Sequence, residues 1–162
     1  MRLLMIAALA AACSRPAPQA PAQYRPVDES FSAALPGDWK VDDSPSQTRK
    51  AAFFGPAAGP GAFAEMIRVS LHPATTPEAA RAARPGLPTP LRESEVGGAK
   101  AWEFFVDSEF PDPHGPLKRV STRVVMLPTA RGLFVLEHAW PAGKPSSRPV
   151  FEELLRTFKP KA

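Results

Sequence analysis

Asp107, Glu109, Asp112 and His114 fall within eight residues, and carboxylate oxygens joined by an imidazole nitrogen are a ligand set for Zn²⁺ or Mn²⁺. Pro111, Pro113 and Pro116 stiffen the same stretch, and its spacing follows no ligand motif. It therefore reads as a solvated acidic hairpin loop, and no metal is expected. His72 precedes Pro73 at a strand end, and His138 lies inside a strand beside Glu137, where an imidazole is more often hydrogen-bonded than catalytic. Ser44, Ser46 and Ser121 stand outside any G-x-S-x-G turn, so a nucleophilic hydrolase has no signature. Gly59-Pro60-Gly61 leads into a strand rather than a helix, unlike a phosphate or dinucleotide cradle. The expectation is a non-catalytic protein without a cofactor.

The remaining reactive side chain is Cys13, the single cysteine. Behind Met1-Arg2, residues 3–12 are apolar, too short to cross a bilayer that needs about 20 apolar residues but fitted to a secretory leader. Ala10-Ala11-Ala12-Cys13 resembles a bacterial lipobox, with Ala10 where leucine is usual. That resemblance implies acylation of Cys13, with residues 1–12 as the signal peptide. Ser14 after the cysteine implies sorting to the outer membrane, on its periplasmic face, rather than retention at the inner membrane. Several acyl chains at ~0.8 kcal/mol per buried methylene anchor stably where one does not. A body without further cysteines has no disulfide and must fold on its apolar core.

Twenty-one prolines among 162 residues, against a usual ~5%, have two destinations, a tether and the loops. Residues 13–27 carry Pro16, Pro18, Pro21 and Pro26 without apolar periodicity and read as the acylated cysteine plus a polyproline-type spacer reaching about 43 Å. Net charge is +4, but Lys and Arg are dispersed, and nucleic acid is not expected as a partner. Lys118, Arg119 and Arg123 lie close on one strand and read as a solvated edge. The membrane, through the lipid anchor, and an envelope protein are the expected partners.

The domain is expected over 28–160. Strands are predicted at Phe31–Ala34, Trp39–Val41, Ala51–Phe54 and Phe63–Leu71, the first two separated by Pro36-Gly37-Asp38. Thr76-Pro77-Glu78 starts a short helix that ends by Arg84 and has only alanines to bury. Arg92–Val96 and Lys100–Asp107 flank the tight turn Gly97-Gly98, and Lys118–Leu127 pairs with Leu133–Trp140. The last of these strands is apolar on both faces, which predicts a cover on each. Phe151, Leu154, Leu155 and Phe158 at i, i+3, i+4 and i+7 predict a closing helix capped by Ser146 or Ser147.

Two motifs bracket this order: Phe31-x3-Leu35-Pro36-x2-Trp39 and Phe151-x2-Leu154-Leu155-x2-Phe158. With the elements between them, they resemble the PsbP-like superfamily, which includes many small bacterial envelope lipoproteins. The resemblance implies an α+β fold, a central antiparallel sheet flanked by helices as an α/β/α sandwich. It carries over no binding or catalytic residue. Phe110 in a Pro-rich loop, its neighbour His114, and Phe54 beside the Gly-Pro loop are candidate partner contacts. A protein-binding or assembly accessory is thus expected. The alternatives are a carrier of a small apolar ligand in a cleft of the sheet and, more distantly, a metal-dependent hydrolase. A cavity above about 300 Å³ would favour the carrier.

Overall fold

The computed structural model describes residues 21–44, 46–56, 65–73, 75–84, 86, 88–111 and 117–161. Cys13, Asp112 and His114 lie outside them. In chain order the elements are β1 (Ala22–Tyr24), β2 (Phe31–Leu35), β3 (Lys40–Asp42), β4 (Arg49–Phe54), β5 (Met66–His72) and α1 (Pro77–Ala82). They continue with β6 (Arg92–Val96), β7 (Ala99–Phe110), β8 (Lys118–Thr129), β9 (Gly132–Pro141), α2 (Arg148–Thr157) and β10 (Lys159–Pro160). Seven strands form one antiparallel sheet in the order β3-β4-β5-β9-β8-β7-β6, and β1-β2-β10 form a smaller one.

β9 sits at the centre of the large sheet, as its unbroken apolar run requires. Phe134 and Leu136 face α2, while Leu133 and Val135 face the other way into a second cluster with Phe104, Val106, Val124 and Met126. The β6–β7 hairpin turns at Gly97 and Gly98 with φ of 57° and 84°, a left-handed pair that only glycine adopts freely. Gly97 has a second constraint. A Cβ there would stand 2.2 Å from the Phe158 carbonyl oxygen, because the Gly97 N–H donates to Leu155 O at the end of α2.

α2 closes one face as its periodicity predicts: Phe151, Leu154, Leu155 and Phe158 are all buried. Phe158 stacks on Phe31 at 5.0 Å and meets Phe134 edge-on at 5.3 Å. Thr157 Oγ1 accepts from the Ala34 N–H at 2.9 Å, and β10 then zips onto β2, so helix and small sheet form one cover.

Three expectations change. Ala22–Tyr24, read as spacer, instead pair with β2, and Tyr24 packs edge-on against Phe53 at 4.9 Å. Three residues are too few for any periodicity to reveal. Trp39 is a buried turn residue, with β3 starting one position later, and Phe63 lies outside the described residues. The largest change concerns the sandwich. The architecture is dominated by antiparallel sheet, and the face opposite α2 has a cover too small for it. Six helical residues span about 9 Å, against about 29 Å for seven strands. α1 brings Ala80 to the second cluster and buries no residue of its own.

Candidate functional site

The partly covered face follows from strand register. Met66, Ala139, Thr122 and Val106 align across β5, β9, β8 and β7, and Arg68, Glu137, Val124 and Phe104 form the adjacent row on the same face. Ser108 opposite Val120 and Phe110 opposite Lys118 continue it toward the sheet's end. Over these rows lies a cavity of 540 Å³ whose walls are largely apolar, with Arg68, Arg84 and Glu137 at one end. This volume is within the range of small-molecule sites.

Glu137 is 4% exposed. It is held by Arg68 Nε at 2.5 Å and by Arg84, which follows α1. A buried carboxylate stripped of its partners would be strongly destabilising, so the two guanidiniums are required where α1 has no large side chain to insert. Arg81 steadies the same region by donating to the Thr89 and Pro88 carbonyls at 2.7 and 3.0 Å. Beyond the Arg68–Glu137–Arg84 bridge, a second recess of 400 Å³ is lined by Arg49, Ser70, His72 and Ala80. Burial first, and then the Arg84 charge, hold His72 below the ordinary histidine value.

The opposite face has another polar cluster with a different task. His138 Nε2 and the Ser147 backbone N–H both meet Glu65 Oε1 at 2.6 Å. Glu65 thereby takes the N–H of the N-cap residue at the start of α2, where the Ser147 side chain makes no cap bond. Burial, opposed by this hydrogen bond, keeps His138 below its ordinary value, so near neutrality the uncharged ring donates from Nε2. Arg123, read as part of a solvated edge, is instead tied to Glu103 and Glu152, both at 2.7 Å. These are fastenings of α2.

Of the predicted partner contacts, Phe110 lines the 540 Å³ cavity and is 48% exposed. Phe54 lies on the same face opposite Met66, with β5, β9 and β8 between its strand and that of Phe110, and does not line the cavity. His114 and Cys13 lie outside the described residues. In the acidic loop, Glu109 is paired with Arg119 at 2.7 Å, and among the described residues no three His, Cys, Asp or Glu converge as a metal site. Arg68, Arg84 and Glu137 went unrecognised in the sequence. The available signal was a glutamate inside an otherwise apolar central strand.

No protein-family model matches this sequence. No curated protein matches it either. Solved structures do share its fold. One is a Bacteroides thetaiotaomicron VPI-5482 protein, similar with a TM-score of 0.54 and 13% identity over 86% of this chain. This chain spans 48% of that protein's length. Another is LpqN of Mycobacterium tuberculosis, a protein involved in cell envelope biogenesis, with a TM-score of 0.54 and 15% identity over 88% of this chain and 91% of LpqN. Among the described residues no helix is long and apolar enough to cross a membrane.

Proposed function

We propose that this protein is a non-catalytic module of the bacterial cell envelope, lipid-anchored through Cys13 and PsbP-like in fold, that holds a small apolar ligand on the open face of its sheet. The observation that carries this reading is the 540 Å³ apolar cavity over β5, β9, β8 and β7, opposite the face sealed by α2. A sheet face left this open exposes apolar surface that a ligand can cover. The fold shared with LpqN, and the envelope role of that protein, agree with the setting.

The test is a titration of the purified protein with the apolar fluorophore N-phenyl-1-naphthylamine. Saturable enhancement at one site per chain, displaced by 1-decanol, is the expected result. Absence of saturable binding would overturn the carrier reading. A second reading, a protein-binding accessory, is favoured by one feature: Phe110 and Leu117 are 48% and 60% exposed at adjoining positions around the cavity mouth and the start of β8. Under that reading, a photo-crosslinker at position 110 in intact cells captures one defined envelope protein. Recovery of unspecific envelope material alone would overturn it.

A further inference from the structure

The polar end of the cavity selects among apolar ligands. Arg68 and Arg84 converge on one carboxylate, that of Glu137, which leaves one net positive charge at the bridge. Each guanidinium has five N–H donors in a planar fork, and the bonds to Glu137 use a fraction of them. Both arginines remain reachable from solvent, with side chains 40% and 20% exposed, whereas Glu137 does not. Asp107 and Glu109 alternate with the cavity-lining Val106, Ser108 and Phe110 along β7 and therefore point to the other face. The bridge end of the cavity thus offers an anion a donor pair with a surplus of one charge, about 20 Å along β8 from Lys118 at the far end.

Its shape is equally selective. From the Val124–Glu137 row to Lys118 is six residues along β8, about 20 Å. The four strands beneath the cavity span about 14 Å across, so it is longer than it is wide, and an extended alkyl chain fits along it.

We infer that the ligand is a single-chain carboxylate amphiphile of the fatty-acid class, its head on the free edges of Arg68 and Arg84 and its chain along Met66, Ala139, Val120 and Val106. This inference rests on the carrier reading and specifies its ligand. A monoanion balances the single surplus charge, while a phosphate monoester, carrying about −1.5 to −2, over-balances it.

The experiment is isothermal titration of the purified protein with sodium decanoate, 1-decanol, monodecyl phosphate and decyltrimethylammonium. Decanoate should bind at least about tenfold tighter than decanol, as a charge-assisted hydrogen bond supplies. Each methylene removed from the carboxylate should weaken binding about fourfold. In Arg84→Gln, where Arg68 still holds Glu137, the decanoate-to-decanol ratio should fall toward one, with circular dichroism verifying the fold. Arg68→Gln provides the same measurement should the first variant not fold. Equal affinity of decanoate and decanol would overturn the inference while leaving an apolar cavity. Tighter binding of decyl phosphate or of the ammonium would overturn the carboxylate assignment. Failure of all four to bind would remove the carrier reading itself.

Discussion

Phe158→Ala tests the architecture where it is most exposed to refutation. The ring is 1% exposed, stacked at 5.0 Å on Phe31 and edge-on at 5.3 Å to Phe134, so it joins α2, the small sheet and β9. Removing a buried phenylalanine costs about 3–5 kcal/mol, as lost transfer energy plus the cavity left behind. Two aromatic contacts place the loss toward the upper end of that range. Against a total stability of roughly 5–15 kcal/mol, it is a third or more. For a domain of this size, the melting temperature should drop by roughly 10–15 °C. Urea unfolding followed by the fluorescence of Trp39, Trp102 and Trp140 measures it, with the slope against urea unchanged if the transition stays two-state. Phe110→Ala is the contrast, since a half-exposed ring at the cavity rim should cost no more than about 0.5 kcal/mol. A loss below about 1 kcal/mol for Phe158→Ala, or an equal loss for Phe110→Ala, would refute this division of the molecule into a sealed face and an open one.

Ala139→Phe directs a ring from β9 into the cavity and should abolish naphthylamine binding. Overpacking of about 1–3 kcal/mol and burial gain of similar size leave stability nearly unchanged, so retained binding in a folded variant would count against the cavity as the site. His138 and His72 are both held below the ordinary value of 6.5, so the unfolded chain takes up their protons first and stability falls as pH drops below that value. Carboxylates with lowered values, such as Asp28 and Glu152, lose stability in the same direction but from about pH 4.5 downward, which leaves the pH 7 to 5 window to the histidines. The melting temperature should therefore decline between pH 7 and 5, and His138→Gln should flatten part of that slope; a flat wild-type profile would show that burial of the ring carries no linkage. Cys13→Ser should release the protein from membranes or stall its processing, and membrane retention after a salt wash would defeat the lipid anchor.

The sequence made the sealed face legible because its elements are long and periodic. Phe151, Leu154, Leu155 and Phe158 announce α2 by spacing, and Gly97-Gly98 announces a turn that no residue with a Cβ makes easily. β1 was not legible, since Gln23 and Tyr24 gain their strand identity from β2 alone. The cavity was half legible. The alanine stripe of α1 already implied a helix with little to bury, but the two-faced apolar pattern of β9 suggested full cover on both sides. Apolar side chains are equally consistent with contact to a helix and with an open slot. Which one holds depends on the length of α1 and on the register that brings Arg68 opposite Glu137. The length of α1 is readable from its own residues, but the register is not local in sequence.

Glu137 and His138 are neighbours on β9 and point to opposite faces, as strand alternation demands. Each secures a helix. His138 and the Ser147 N–H share Glu65 at the start of α2, while Glu137 holds Arg84 after α1. On the α2 side the polar fastening is secondary, because four large apolar residues already hold the helix, at roughly 1.5–3 kcal/mol each. On the α1 side no such residues exist, and the ion pairs take the place of apolar contact. That substitution separates the two faces in function. Apolar packing leaves no free valence for a ligand, whereas a guanidinium that spends one or two donors on a buried carboxylate keeps others for an incoming anion. The weakness of α1 as a cover and the availability of Arg68 and Arg84 are thus one feature of the fold. A larger apolar residue in place of Ala80 would fill the 400 Å³ recess beside the bridge and be expected to stabilise α1 while leaving the 540 Å³ cavity open.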